Sequence, residues 1–410
     1  MMSSPLRALS CRNYRLYFCG QAISLIGTWM TQTAMLWYMY QLTGSAFSVG
    51  LFGFMCQAPN FALGPIAGML VDRMSRKHLL LVTQVAAMLQ SFALAALAFT
   101  KSLGEYGLLA FGAFQGIVNA FDWPTRGALL IDLVEDRDTL GNAMGLNSSM
   151  FNLARFIGSA LSGFIITTFG PAICYLIDGV SYGAMIVSLL LIQLRPSAPP
   201  TEKIHPLSDM LDGVLYVWNH PAILAVLRLV TLISFFGSSY YVLIPQFASD
   251  VFHGDARALG FLMSSAGCGA LAAGIYLSMR STTNGLGRVI VAGGSLLSVM
   301  LITLPWVRIL PIALACVFCI GLGSVLIFVS SSTTIQLLVS NKKRGRVTAL
   351  FTMAFTGTLP IASLMMGWVS QRIGASNALG LTGSICLFTI LRYQLDRPSV
   401  RAAIGEATPS

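Results

Sequence analysis

Residues 16–71 contain no Lys, Arg, Asp or Glu, and the stretches 79–100, 258–279, 309–341 and 347–371 lack them too. Crossing a hydrocarbon core takes about 20 predominantly apolar residues in a helix. The first stretch therefore holds two crossings, with Thr43-Gly44-Ser45 as the turn between them. Charged residues make up only 10% of the 410 residues and hydrophobic ones 55%, whereas soluble domains carry about 25% charged residues. Twelve helices are expected, near 16–42, 46–71, 79–100, 106–131, 139–168, 172–194, 222–249, 258–279, 287–307, 309–339, 347–371 and 375–391. Internal Gly and Pro are compatible with this, because neighbouring helices re-satisfy freed backbone groups. A porin-like barrel is excluded, since its strands would be about ten residues of alternating polarity. The expected class is an all-α integral membrane protein.

The net charge of +10 raises the question of nucleic acid, and the placement of the charge answers it. Nineteen of the 25 Lys and Arg fall at the termini and in the even-numbered connections, four fall on the opposite side, and two lie within spans. This is the positive-inside pattern, which puts both termini in the cytoplasm and leaves no folded basic patch for nucleic acid. The N-terminus lacks a short apolar region followed by a small-residue cleavage site, so the first helix is expected to stay as a signal anchor. Seven of the eight Cys lie in apolar segments, and the Cys316–Cys319 spacing on an apolar helix reads as packing. His78, His205, His220 and His253 are scattered in loops or at helix ends, and no Walker A glycine motif occurs. The expectation is no enzyme, no cofactor, no metal site and no ATP-driven step within this chain.

"RPSAPPTEKIHPLSD" at 195–209 is a proline-rich polar linker. Leu207, Leu211, Leu215 and Trp218 then follow at helical spacing, as in an amphipathic helix on a membrane surface. The expected organisation is a six-helix bundle over 1–194, a cytoplasmic linker over 195–220, a second six-helix bundle over 221–395 and a tail over 396–410. The halves also resemble each other. "GIVNAFDWPTRGALLIDLV" from Gly116 aligns with "GLGSVLIFVSSSTTIQLLV" from Gly321, and Phe151, Gly163 and Gly170 align with Phe355, Gly367 and Gly374. Matches in register indicate a parallel repeat of two bundles.

"GMLVDRMSRK" at 68–77 resembles the major facilitator signature G-x-L-x-D-R-x-x-R-[RK], with Gly68, Leu70, Asp72, Arg73, Arg76 and Lys77 in place. The resemblance implies a gate loop. Gly68 would admit a close helix approach, Asp72 would face a helix N-terminus of the other half, and Arg76 would hold Asp132 at the inner end of the fourth helix. A plain positive-inside stop signal is the alternative. The second-half counterpart "GIYLSMRSTT" lacks the Asp-Arg pair, and Arg344-Gly345-Arg346-Val347 resembles an element of one exporter branch. "NYRLYFCGQAISLIGTWMTQTAMLWYMYQLTGSA", "NAFDWPTRGALLIDLVEDRDTLGNAMGLNSSMFNLARFIGSALSG" and "IDGVSYGAMIVSLLL" are similar to the enterobactin-exporter and macrolide-efflux branch, also called transmembrane secretion effectors. The similarity spans roughly residues 10–392. It implies an inner-membrane exporter of siderophores or drugs, usually inferred to be a proton antiporter. In Gly158-Ser159-Ala160-Leu161-Ser162-Gly163 the antiporter pattern G-P-x-x-G-G has lost its Pro and one Gly.

A charge at mid-membrane normally faces the bundle interior and finds a partner. With a helix rise of about 1.5 Å per residue, Asp122 lies roughly 24 Å and Arg155 roughly 21 Å from the outer ends of their helices. Equal depth makes Asp122–Arg155 the expected pair, with Arg126 one turn below Asp122 and Asp178 a shallower acid on the sixth helix. The pair either fixes packing, or cycles with a proton or an anionic substrate. Arg228 is expected to snorkel. Gln21, Ser24, Thr28, Thr31, Gln32 and Met35 form a stripe on the first helix. The superfamily plan adds Asn119, Trp123, Tyr240, Tyr241, Ser331 and Thr334 to a central cavity. The expected function is export of a siderophore-like amphipathic molecule by alternating access, coupled to protons, by a monomer in the cell inner membrane. A macrolide or multidrug pump, a lysophospholipid flippase and a non-transporting membrane sensor remain open as alternatives.

Overall fold

The computed structural model describes residues 6–134, 137–194, 206–252, 254–280, 285–340 and 343–407, and within them it contains helices and no strand. Six long helices come first: α1 (Arg12–Thr43), α2 (Ala46–Arg73), α3 (Arg76–Phe99), α4 (Glu105–Asp132), α5 (Arg137–Phe169) and α6 (Pro171–Leu191). Then come α7 (Pro206–Trp218), α8 (Pro221–Leu232), α9 (Tyr240–Phe252), α10 (Ala256–Ser278), α11 (Leu286–Thr303), α12 (Leu310–Leu338), α13 (Arg344–Thr356), α14 (Leu359–Ile373) and α15 (Ala375–Ala407). Counting α8 with α9 and α13 with α14 as single crossings, 10 segments among the described residues are long and apolar enough to span a membrane. Helices α1 and α4 have comparable length, 32 and 28 residues, and are the two that carry the polar stripe and the Asp122 site. Together the twelve follow the expected order.

Local chemistry sets the turns. Gly44 ends α1 in the left-handed region at φ +58, and the Ser45 side chain caps α2 by accepting from the Ser48 N–H at 3.2 Å. Two crossings expected to run unbroken do not. The seventh is interrupted by a π turn at Ile233–Gly237, and the eleventh breaks between α13 and α14. Pro360 explains the second break, since its ring cannot sit beside the carbonyl four residues back and supplies no N–H. The two irregularities face each other and satisfy one another. Ser234 Oγ donates to the Phe355 carbonyl at 2.5 Å, and Thr358 Oγ1 donates to Ser234 Oγ at 3.2 Å. At the far end α15 continues to Ala407, through the segment expected to be a tail.

The repeat seen in the sequence has a packing counterpart. A Cβ on Gly116 of α4 would lie 2.6 Å from the Cys56 carbonyl of α2, and a Cβ on the aligned Gly321 of α12 would meet the Ala266 carbonyl of α10. Gly170 and Gly374, aligned at the ends of α5 and α14, share positive φ values of +85 and +82. The linker residues 195–205 lie outside the described residues. Helix α7 begins just after them and leaves Leu215 and Trp218 of the expected apolar stripe exposed, whereas the side chains of Leu207 and Leu211 lie outside the described residues.

Candidate transport cavity and its two ends

A cavity of about 450 Å³ is walled by α1, α3, α4, α5 and α6. Gln21, Thr28, Asn119 and Trp123 line it, as the sequence suggested, and Gln84, Gln115, Asn147 and Ser148 add polar groups that the sequence reading missed. Leu25, Val118 and Phe151 make its apolar wall. The α1 stripe divides into two adjacent rows. Gln21, Leu25 and Thr28 face the cavity, whereas Gly20, Ser24, Gly27 and Thr31 belong to the row that packs on α6, where a Cβ on Gly27 would lie 2.9 Å from Asp178 Cα. Ser24 is therefore buried and is no cavity residue, and Gln32 also lies off the lining. Four further expected lining residues, all in the second half, are placed elsewhere. Ser331 and Thr334 are buried inside their own bundle, with Thr334 Oγ1 donating to the Ser330 carbonyl at 2.8 Å. Tyr240 is engaged by Arg155, and Tyr241 lies beside the same arginine.

The expected Asp122–Arg155 pair is not formed. Asp122 Oδ1 accepts from Thr83 Oγ1 at 2.9 Å and from Gln84 Nε2 at 2.6 Å, and Oδ2 accepts from Nε of Arg126, one turn along α4. Tyr17 lies beside Arg126, whose Nη1 has no partner among the described residues. Arg155 turns the other way. Its Nη2 donates to the Tyr240 hydroxyl at 3.1 Å, its guanidinium carbon sits 5.5 Å from the Trp29 ring centroid, and its Nε has no partner among the described residues. Helix rise gives depth, but each residue also turns about 100° around the axis, and it is that angle that sends Asp122 towards α3 and Arg155 towards the other bundle. Asp178 is 1% exposed and accepts from Ser91 Oγ at 2.8 Å, with Thr31 beside it. It ties α6 to α3 and α1 behind the cavity wall. Arg228 is exposed.

At the face that carries the chain ends, Arg76 Nη1 lies 2.7 Å from Asp132 Oδ1. Lys77 Nζ donates to the Ile192 carbonyl at 2.6 Å, covering the end of α6. Gly68 does not mark a close helix approach here. A Cβ on it, or on Gly64, Gly127, Gly141, Gly145 or Gly345, would meet no atom of the described residues within 4 Å. Arg73 and Arg344 are exposed, and the Asp72 side chain lies outside the described residues. Arg346 reaches Asp212 of α7 at 2.8 Å, and Lys343 reaches the same carboxylate at 3.5 Å. Asp212 went unnoticed in the sequence, although two acids on the linker helix, Asp209 and Asp212, ahead of the four bases at 342–346 were a usable charge signal.

The opposite face is shut by two crossings related by the repeat. A Cβ on Gly260 of α10 would lie 2.7 Å from the Ser159 carbonyl and 2.9 Å from Gly163 Cα of α5. A Cβ on Gly50 of α2 would lie 2.6 Å from the Ser363 carbonyl and 2.9 Å from Gly367 Cα of α14. Thus Gly163, the end of the small-residue run on α5, packs the two halves together. Tyr40 Oη adds a bond to Asp250 Oδ1 at 2.9 Å across the same face.

Comparison with known proteins agrees with this fold. The model of a family described as transmembrane secretion effector matches residues 3–406. The chain is 23% identical over 386 residues to the staphyloferrin A transporter of Staphylococcus aureus, covering 93% of this chain and 96% of that one. It is 22% identical to macrolide efflux protein A of Streptococcus pyogenes, over 92% and 94% of the two chains. Among solved structures, a bacterial homologue of the human lysosomal transporter Spinster, inward-facing and unoccupied, superposes with TM-score 0.70 at 11% identity over 97% of this chain and 98% of that one. A POT family transporter in complex with 5-aminolevulinic acid gives TM-score 0.75 at 12% identity, over 95% and 96%. At such identities these two structures bear on the fold alone.

Proposed function

This chain belongs to the transmembrane secretion effector family of major facilitator transporters, and on that premise we propose that it exports a siderophore-like amphipathic molecule from the cytoplasm by alternating access. The observation that carries the reading is the asymmetry of the cavity, about 450 Å³ of space on the basic face against glycine crossings that shut the other face. With the basic face cytoplasmic and the protein a monomer in the cell inner membrane, this is a loading state, and the reverse tilt of the halves about the glycine crossings releases cargo outside. The Arg76–Asp132 pair and the Asp212 contacts of Lys343 and Arg346 then act as gate elements that re-form with each cycle.

Drive comes from protons in this reading. Asp122 holds Arg126 while ionised, and a proton on Asp122 frees Arg126 towards the cavity and its cargo. A deletion strain grown under iron limitation tests both parts. Export requires that the strain lose siderophore from the medium and accumulate it inside, and that the wild-type gene but not Asp122→Asn restore secretion. Unchanged secretion with raised macrolide sensitivity moves the protein to drug efflux, a reading favoured by the apolar wall of Leu25, Val118 and Phe151. Proton-coupled export retained in Asp122→Asn removes this carboxylate from the coupling.

A further inference from the structure

We infer that Arg155 recognises an acidic group on the cargo, which replaces the Tyr240 hydroxyl as its partner and so releases the bond between the two halves at mid-depth. This rests on the transporter reading for the existence of a cargo, but not for its test.

A guanidinium has five N–H donors, yet the partners of Arg155 are a neutral phenol and the face of Trp29, and its Nε has none among the described residues. Neither intramembrane acid answers it. Asp122 is occupied by Thr83, Gln84 and Arg126, and Asp178 lies behind α1 against Ser91. A cation left without an anion at such depth is costly and marks function by default. Packing does not demand it either. The position aligned with Arg155 by the repeat is Leu359, at the start of α14.

Three aromatic contacts connect the cavity to this cation. Trp123 and Phe151, both in the cavity wall, have ring centroids 5.2 Å apart; Phe151 meets Trp29 at 5.4 Å; and Trp29 carries the Arg155 guanidinium at 5.5 Å. Both ring pairs are edge-to-face, so a cargo ring can join the series, and an attached carboxylate then meets Arg155 one turn above Phe151. The cargo class that fits is an aromatic or flat amphiphile bearing an acid. A carboxylate offers the guanidinium two parallel bonds and an opposite charge, whereas the phenol offers one neutral oxygen, so the exchange favours releasing Tyr240. That residue begins α9, directly after the π turn at Ile233–Gly237, where the helix is irregular enough to flex.

The test uses the purified full-length chain in lipid nanodiscs and a matched probe pair, 4-phenylbutyrate and its uncharged amide, with binding read by tryptophan fluorescence. Wild type should bind the carboxylate about tenfold more tightly than the amide. Arg155→Gln should lose that preference while still binding the amide, which shows that the site is folded, and Arg155→Lys should keep part of it. Tyr240→Phe, which removes the competing partner, should tighten the carboxylate roughly threefold. Equal affinity for the two probes in wild type, binding of neither, or a preference that survives in Arg155→Gln overturns the assignment. Absence of siderophore or drug flux in cells would strike the exporter reading alone, because the probe preference is measured without transport.

Discussion

The two halves of this molecule repeat one scaffold and fill it with different chemistry. The repeat places Asn119, Asp122, Trp123 and Arg126 of α4 opposite Ser324, Ile327, Phe328 and Ser331 of α12. In the first half these positions border a cavity of about 450 Å³, whereas in the second Ser324, Ile327 and Phe328 border one of about 40 Å³. Asp178 likewise stands against Thr382, which is fully buried. What both halves keep is backbone contact: Gly50 with Gly367, Gly163 with Gly260, and the two glycines at positive φ that end α5 and α14. Close helix packing has few solutions and is retained by both copies. Polar cavity chemistry is freer to change, so one half walls a cavity while the other is packed nearly shut at the same positions.

The sharpest way to break this contrast is to remove one charge of the first half. Arg126→Leu leaves Asp122 buried beside Thr83 and Gln84 without its cation, and should lower stability by about 3–5 kcal/mol, read as a drop in melting temperature in detergent. The double variant Asp122→Ile with Arg126→Ser writes the second-half residues into the first. It should recover most of that stability, because no unpaired charge remains, while export in cells stays abolished; recovered export would show that the charged wall is dispensable.

The glycine crossings test what the halves share. Gly260→Ala and Gly50→Ala each place a Cβ under 3.0 Å from backbone of the facing helix, so each should cost about 1–3 kcal/mol, and by similar amounts if the repeat governs both seals. A large difference between them in thermal unfolding would show that one crossing bears the closed face alone. The smallest effect belongs to the gate contacts of the linker helix. Asp212 is 54% exposed and Arg346 32%, so Asp212→Ala should change stability by only about 0–1 kcal/mol. A cysteine crosslink between α7 and α13 should form more slowly in that variant.

Some of this was legible from residues alone. Uncharged runs gave the crossings, the sorting of Lys and Arg gave a basic face, and in-register glycines gave the repeat, all without tertiary information. The π turn near Gly237 left no sequence signal, and the break in the eleventh crossing was not expected although Pro360 lies within it. The lining of the cavity was half visible. Gln21 and Thr28 were identified from the α1 stripe and Asn119 and Trp123 from the superfamily plan, whereas the same plan's Ser331 and Thr334 fall where the second half is packed shut.

Asp122 and Arg155 mark the boundary between the two kinds of information. Depth along a helix is additive in residue number, so the sequence by itself put both charges at one level of the membrane. Which way each faces depends on how every helix is rotated by its packing, and only the assembled bundle decides that. It turns Asp122 to Arg126, Thr83 and Gln84, and it leaves Arg155 at the seam between the halves, bonded to Tyr240.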